Sequence, residues 1–310
     1  MKKAQYEMSF TWMFALIVGA FVLFLAIYAS RTLITTEETI QDAKTSKEVS
    51  ILLNPLETGF ETVKASYITF PVETKVKNGC SLDGEFGRQT ISVSQMSLNK
   101  WTDTDIEVGF SNKYIFSTKE VEGKTDYLFA KPFNFPFKVT DLIYITSKNE
   151  KYCFIGAPLE IENEINTIGQ ENLQYGNCST RINFTRVCFS SGSKACAINV
   201  NYNAGYVEKI DGKVYFIGDS LMYAAIFTDK EVYECQIKRL MKRVSILSSI
   251  YIDKATIIAK AGCSTTAVSS LNLLKSSAES LQGSIGLNSF NQIIKTLGDD
   301  NSENSKCKLW

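Results

Sequence analysis

The sequence predicts an α+β fold with an N-terminal transmembrane helix, a strand-rich middle and a C-terminal helical hairpin. Residues 10–29 contain no charged side chain. Residues 66–228 consist largely of short runs rich in β-branched and aromatic residues, and apolar residues after position 229 recur at helical spacing. We therefore expect a cytoplasmic N-terminus at 1–9, a membrane helix at 10–29, a helical stalk at 30–65, an ectodomain at 66–228, and a helical hairpin packed on the ectodomain at 229–310.

The apolar run at 10–29 is long enough to cross a bilayer, because a helix rises ~1.5 Å per residue and the hydrocarbon core is ~30 Å thick. Lys2 and Lys3 precede the run, whereas Glu37 and Glu38 follow it. This charge bias predicts a single-pass protein of the cell membrane, with a cytoplasmic N-terminus and the bulk of the chain extracytoplasmic. The alternative is a cleaved signal peptide, whose apolar region is usually about 7–15 residues long. We favour a retained anchor.

The N-terminus combines Lys2-Lys3-Ala4-Gln5 with an apolar helix that follows almost directly. This arrangement resembles the class III signal segment of archaeal type IV pilin-like proteins, in which a prepilin peptidase cuts just before a glutamine. The resemblance implies a processing site between Ala4 and Gln5, and a helix that packs into a filament core or stays in the membrane. The family usually has Gly in place of Ala4 and a glutamate in place of Ser9. The layout of the whole chain is also similar to that of single-pass proteins of small-genome archaea that carry no assigned activity.

The composition excludes several classes of function. With 33 basic and 33 acidic residues the formal net charge is zero, so no global field would attract nucleic acid. The chain contains no histidine, which excludes Ser-His-Asp and Cys-His catalytic sites and metal centres that use imidazole. It also contains no Walker loop and no GxGxxG motif. We predict a protein without enzymatic activity, cofactor or metal.

Eight cysteines, all of them after the apolar run, indicate an oxidising environment. Their even number predicts up to four disulfides, while the spacing leaves the connectivity open. One pair is favoured locally, since Cys188 and Cys196 flank a short polar segment and could staple a hairpin. A bond to Cys307 would pin the C-terminal tail. The candidate disulfide residues are Cys80, Cys153, Cys178, Cys188, Cys196, Cys235, Cys263 and Cys307.

Turn and strand signals predict the elements between the anchor and residue 228. The stalk is expected to stay helical until Pro55 interrupts it, and helix resumes near residue 56 and ends near 66. Residues 148–150 are predicted to join two strands as a hairpin, Pro158 to open a helix over 159–168, and Asp211-Gly212 to form a second hairpin turn. The predicted strands are 67–76, 90–94, 106–110, 114–117, 127–130, 142–147, 152–155, 181–189, 195–201, 206–210, 214–217 and 221–227.

Two helices are predicted after Asp229, which is a suitable N-cap. The first ends at Gly262, and the second begins at Thr265 or Thr266. Each has apolar residues on one face, which we expect to pack on the sheet. The same spacing is also compatible with a coiled-coil seam to another subunit. The two apolar faces comprise Tyr233, Ile237, Leu240, Val244, Leu247 and Tyr251, and Leu271, Leu274, Ala278, Leu281 and Ile285.

Two motifs suggest chemistry, and each has a simpler structural interpretation. Residues 218–221, Gly-Asp-Ser-Leu, are similar to the nucleophile block of GDSL esterases. That chemistry requires a base, histidine in that family, so we reject an esterase. Asp103, Asp105 and Glu107 alternate in a way that could help to hold calcium. We favour a solvated entry to a strand, because the segment lacks the glycine and glutamate spacing of a calcium-binding loop.

Two further motifs concern the surface of the ectodomain. Asn177 and Asn183 begin N-glycosylation sequons, and a buried disulfide at Cys178 could block the first. A basic cluster on the first C-terminal helix could meet anionic groups, but we expect it to be solvated. The cluster consists of Lys238, Arg239, Lys242 and Arg243.

These observations favour a non-catalytic, membrane-anchored surface subunit or binding module. The alternative is a type IV pilin-like filament or pseudopilin subunit that uses the apolar helix for assembly. The predicted partners are the lipid bilayer and other surface or filament subunits, which would contact the N-terminal or C-terminal helices. A membrane-tethered hydrolase without histidine would require an acidic or Ser–Lys cluster in a deep pocket.

Overall fold

A computed structural model describes residues 10–52, 64–97, 99–102, 107–178, 183–189, 196–263, 265–303 and 307–310, with the side chains of the first helix described over 12–33. It confirms an α+β fold with an apolar N-terminal helix and a helical C-terminal region.

The first helix, α1, runs without a break over Phe10–Leu52. Its part Trp12–Leu33 has a mean hydropathy of 2.4, and none of it is buried by the described chain. The helical stalk is therefore confirmed as far as Leu52, where the described part of α1 ends. The expected break at Pro55 and the helix predicted to resume after it lie outside the described residues as far as position 63. The first strand begins at Lys64, two residues before the predicted end of that helix near residue 66.

Seven strands of the described chain form the first sheet, in the order β3-β2-β1-β6-β7-β5, with β4 paired to β2. Neighbouring strands are antiparallel except for β5 and β7, which are parallel. Helix α1 contacts β2 and β4. The strands are β1 (Lys64–Ser81), β2 (Arg88–Ser97), β3 (Lys100–Trp101), β4 (Val108–Phe110), β5 (Ile115–Phe116), β6 (Glu120–Asn134) and β7 (Lys138–Ser147).

The first sheet contributes side chains to two cores, one on each face, because side chains alternate between the faces along each strand. On β6, Leu128 and Ala130 belong to a small core, whereas Phe129 and Phe133 belong to the large core that the sheet shares with the rest of the domain.

The second sheet of the described chain has six strands in the order β13-β12-β11-β10-β8-β9. Helix α2 (Leu159–Ile168) follows Pro158 as predicted and connects the parallel strands β8 and β9. The predicted hairpin is confirmed, because β12 and β13 pair antiparallel, but its turn is Ile210-Asp211, since Gly212 already pairs with Lys209 as the first residue of β13. The strands are β8 (Tyr152–Ile155), β9 (Leu173–Tyr175), β10 (Thr185–Cys188), β11 (Ile198–Asn201), β12 (Tyr206–Lys209) and β13 (Gly212–Tyr215).

Two predicted hairpins are wrong. Residues 148–150 lead from β7 in the first sheet to β8 in the second. On one side of the connection Lys148 N–H donates to Thr125 O of β6, and on the other Tyr152 N–H donates to Asn172 O, just before β9. The disulfide Cys188–Cys196 does form, but it joins β10 to the approach of β11, and these two strands run parallel.

The predicted strand at 221–227 is also wrong, since Gly218–Phe227 forms helix α3. Residues 220–227 are all buried, with aromatic contacts to both sheets. The Phe129 ring of the first sheet lies 5.8 Å from the Tyr223 ring, and the Tyr152 ring of the second lies 4.9 Å from the Phe227 ring. A short helix covered on all sides lacks a polar face, so its sequence pattern cannot be distinguished from that of a buried strand.

The C-terminal region contains α4 (Lys230–Lys260) and α5 (Ala267–Ser280), which pack antiparallel on each other. Leu271, Leu274 and Ala278 join Tyr233 and Leu240 in the large core. The second helix ends earlier than predicted, so Ile285 falls in a 3₁₀ helix, Ser284–Ser289, and is exposed. A third helix, α6 (Phe290–Glu303), was not predicted as a separate element.

All eight cysteines form disulfides, namely Cys80–Cys235, Cys153–Cys178, Cys188–Cys196 and Cys263–Cys307. The last bond pins the C-terminal tail as predicted. The tail is also held by Lys254, whose ammonium donates to Leu309 O at 2.5 Å, and by Asn301, whose side-chain carbonyl accepts from Leu309 N–H at 2.7 Å.

Candidate functional site

The Gly218-Asp219-Ser220 motif opens helix α3, and its residue types have structural explanations. Gly218 has φ +67°, a conformation that strains any residue with a Cβ atom. The Ser220 hydroxyl donates to Pro132 O at 2.6 Å, and the Tyr144 hydroxyl donates to Ser220 O at 2.6 Å. Ser220 is only 8% exposed. The motif therefore attaches α3 to the first sheet.

Lys131 of β6 lies beside this motif in a half-buried charge cluster. Its ammonium lies 2.5 and 2.6 Å from the two carboxylate oxygens of Glu164 on α2, and 3.9 Å from Asp219 Oδ2. It also lies 5.2 Å from the centre of the Tyr223 ring. The Lys131 ammonium is bound to the Glu164 carboxylate, while the Ser220 hydroxyl donates to a backbone carbonyl. The arrangement of these two residues therefore does not form the Ser–Lys pair that a hydrolase would need.

An open cleft of about 610 Å³ begins at Asp219. We call it the Tyr202–Asp219 cleft. It is built from the turn after β11, the start of α3, and the junction between the 3₁₀ helix and α6. Its lining residues are Tyr202, Asn203, Ala204, Gly205, Phe216, Ile217, Gly218, Asp219, Asn288 and Asn291.

Tyr202 stands at the edge of this cleft, where it is 36% exposed. Its hydroxyl donates to Asp219 Oδ1 at 2.8 Å. Burial, followed by the hydrogen bond and the negative charge of Asp219, raises the pKa of Tyr202 to about 12. The phenol is therefore neutral at physiological pH, and the carboxylate is held in a fixed orientation.

Glycine at position 205 allows the turn to approach the strand and helix beside it. Gly205 has φ +66°, and a Cβ atom there would lie 2.8 Å from Phe216 O and 3.5 Å from Asn288 Oδ1. The side-chain amides of Asn203, Asn288 and Asn291 make no hydrogen bond within the described residues, and all three residues are exposed. The cleft thus offers one oriented carboxylate, one aromatic ring and several amides that are available to a ligand.

A second cleft, of about 560 Å³, surrounds the disulfide Cys80–Cys235. Several of its charged groups are bound by other groups of the chain. The Lys119 ammonium pairs with Glu231, and the Glu234 carboxylate accepts from Ser284 N–H at 2.7 Å and from the Ser284 hydroxyl at 2.6 Å. Because these groups are already satisfied by the chain, the Tyr202–Asp219 cleft is the stronger candidate for binding.

The predicted solvated basic cluster on α4 is wrong. Arg239 is fully buried, and its guanidinium lies 4.8 Å from the centre of the Tyr114 ring. Arg243 donates to Val139 O at 2.8 Å. Lys242 is partly exposed, and its ammonium donates to the carbonyls of residues 82 and 84 at 3.3 and 3.4 Å. The carbonyls that accept hydrogen bonds from Arg239 belong to Phe86, Phe110, Ser111, Lys113 and the side chain of Gln236.

Several predicted sites lie wholly or partly outside the described residues. They include the processing site at Ala4 and Gln5, and two of the three calcium candidates, Asp103 and Asp105. The third, Glu107, is exposed.

Both sequon asparagines, Asn177 and Asn183, are exposed. Cys178 is bonded to Cys153. Glycosylation of either asparagine stays a prediction.

Sequence reasoning missed most of the cleft. Tyr202, Asp219 and Asn288 come from separate segments that only the fold brings together, so no local motif could have indicated the cleft. Comparisons of the chain with protein-family models, with curated proteins and with solved structures find no match.

Proposed function

We propose that this protein is a non-catalytic binding module held at the outer face of the cell membrane by helix α1. The observation that carries the proposal is the contrast between Trp12–Leu33, which the described chain leaves entirely uncovered, and the ectodomain, in which all eight cysteines are paired. An uncovered apolar helix of 22 residues needs lipid or another helix around it. Disulfides persist in oxidising compartments, so they favour an extracytoplasmic domain.

A protease experiment on intact cells tests this topology. Cells that carry the full chain with a C-terminal epitope tag are treated with proteinase K before and after permeabilisation, and their membranes are then washed with alkaline carbonate. We expect the tag to be lost from intact cells and the untreated protein to remain in the membrane pellet. Protection of the tag in intact cells, or release by carbonate, would contradict the proposal. A cytoplasmic protein serves as the control for cell integrity.

A type IV pilin-like subunit is the second candidate. Helix α1 is unbroken, its apolar end is uncovered by the described chain, and the same helix contacts β2 and β4 of the ectodomain. In this case the apolar end would pack against copies of itself. The candidate predicts cleavage between Ala4 and Gln5, which N-terminal sequencing of the mature protein would detect, and filaments that contain the chain. An uncut N-terminus would exclude this candidate and leave the plain anchor.

A further inference from the structure

The groups that line the Tyr202–Asp219 cleft indicate the chemistry of its ligand. The cleft has a volume of about 610 Å³, within the range of roughly 300–1,000 Å³ that small-molecule sites occupy. Its edge carries an exposed aromatic ring, and its walls carry a carboxylate and unpaired amides. Each amide offers one donor group and one acceptor. Neighbouring hydroxyls of a ligand, which both donate and accept, complement such a surface.

The charges around the cleft disfavour an anionic ligand. Asp219 lies in the wall, and the negative charges of Glu160 and Glu164 also act on Tyr202. Lys131 is the nearest described cation to Asp219, and it is bound to Glu164. An anion would therefore meet repulsion without a cation available to bind it.

A cationic ligand is also a poor fit. The Asp219 carboxylate accepts from Tyr202 and lies 3.9 Å from the Lys131 ammonium, so much of its charge is already compensated. Recognition of organic cations usually uses a cage of several aromatic rings. Here Phe216 is buried, and Tyr202 supplies the exposed ring.

We infer that the Tyr202–Asp219 cleft binds a neutral saccharide, with one face of the sugar ring on Tyr202 and its hydroxyls bonded to Asp219 and the asparagine amides. The electron-rich face of an aromatic ring attracts the weakly positive C–H groups of a sugar ring. This inference deepens the proposed function, since it names a ligand class for the binding module. It does not depend on the direction in which α1 crosses the membrane.

Binding is tested with the full chain, kept soluble by a polyacrylate-based amphipathic polymer that carries neither sugar nor choline. Calorimetric titration is performed with methyl mannoside, methyl galactoside and N-acetylglucosamine, and separately with glucuronate and choline. We expect saturable binding of at least one neutral sugar with a Kd in the millimolar range, and at least tenfold weaker binding of glucuronate and choline. Absence of binding by all three neutral sugars, or a preference for either charged probe, would overturn the inference.

Matched variants locate the binding. Tyr202→Ala removes the ring and should weaken binding of the titrated sugar at least tenfold. Tyr202→Phe keeps the ring, so its affinity for the sugar should stay within about threefold of that of the parent protein. Tyr175→Ala, at a tyrosine that is 42% exposed on β9, serves as the control and should have no effect. Asn291→Ala, at an exposed position, gives a second test that leaves the core intact. Equal binding by Tyr202→Ala and Tyr175→Ala would place the ligand elsewhere and refute the assignment.

The two proposals can fail separately. A chain that binds no sugar but loses its tag to external protease would refute only the ligand class. A chain that binds sugar but is protected in intact cells would refute only the topology.

Discussion

Two helical segments of this protein are largely apolar, but their surroundings are opposite. The part Trp12–Leu33 of α1 is uncovered by the described chain, whereas residues 220–227 of α3 are completely buried between the two sheets. The difference is one of length. The two sheets can surround a helix of ten residues, but a largely apolar helical segment of 22 residues needs an apolar environment that the described chain does not supply.

Matched substitutions in the two helices should have the largest and most different effects. Ala224→Asp places a carboxylate where α3 is fully buried, with a cost comparable to the whole stability of a domain, roughly 5–15 kcal/mol. We expect loss of the folded ectodomain, measured by near-ultraviolet circular dichroism and resistance to trypsin.

Ala20→Asp is the matched control, at an exposed position of α1. It should leave the ectodomain folded and reduce membrane insertion by about 2.5–3.5 kcal/mol, the usual cost of a charge at the centre of a membrane helix. If both variants destabilised the ectodomain equally, the described contrast between the two helices would be wrong.

The same contrast between covered and uncovered positions occurs within the basic cluster of α4. Arg239→Met would leave several buried carbonyls without donors, so we expect the free energy of unfolding in urea to fall by roughly 3–5 kcal/mol. Lys242→Met removes long, exposed hydrogen bonds and should cost less than about 1 kcal/mol. Similar losses in both variants would contradict the buried role of Arg239.

A buried carboxyl group in β6 should produce an effect on stability that depends on pH. Burial, and secondarily the charge of Glu150, raises the pKa of Asp126 from 3.8 to about 8. Between these two values the folded state keeps a proton that the unfolded state loses, so stability falls as pH rises, by up to about 1.4 kcal/mol per pH unit. The stabilisation of the folded state by protonated Asp126 is fully present below about pH 4 and is lost as pH passes about 8.

Asp126→Asn provides the check on this prediction, because the amide does not titrate. Urea unfolding measured from pH 4 to pH 9 should show a flatter pH dependence for this variant than for the parent protein. If the free energy of unfolding of the variant depended on pH as steeply as that of the parent protein, Asp126 would not be the source of the pH dependence.

The sequence predicted features that depend on local chemistry. The uncharged run, the proline before α2 and the hairpin signal at Asp211-Gly212 each indicate structure through neighbouring residues alone. The α3 helix and the connection from β7 to β8 were predicted wrongly, because their structure depends on which sheet covers them. The prediction that Arg239 is solvated was wrong for the same reason. The sequence shows a charge on a helix but not the loops that enclose its guanidinium.

The candidate site could not have been predicted, because its groups come from the turn after β11, the start of α3, the 3₁₀ helix and the start of α6. Asp219 and Ser220 were singled out for a reaction that they do not support. Their observed contacts instead hold α3 in place and orient one wall of the cleft.

The most direct test of a membrane-anchored, disulfide-braced ectodomain is the intact mass of the full chain extracted from membranes, after treatment with iodoacetamide before or after reduction. We predict no alkylation before reduction, alkylation of all eight cysteines after it, and a mature chain that retains Trp12–Leu33. Alkylation of eight cysteines without reduction, or a mature chain that begins after residue 29, would contradict the account.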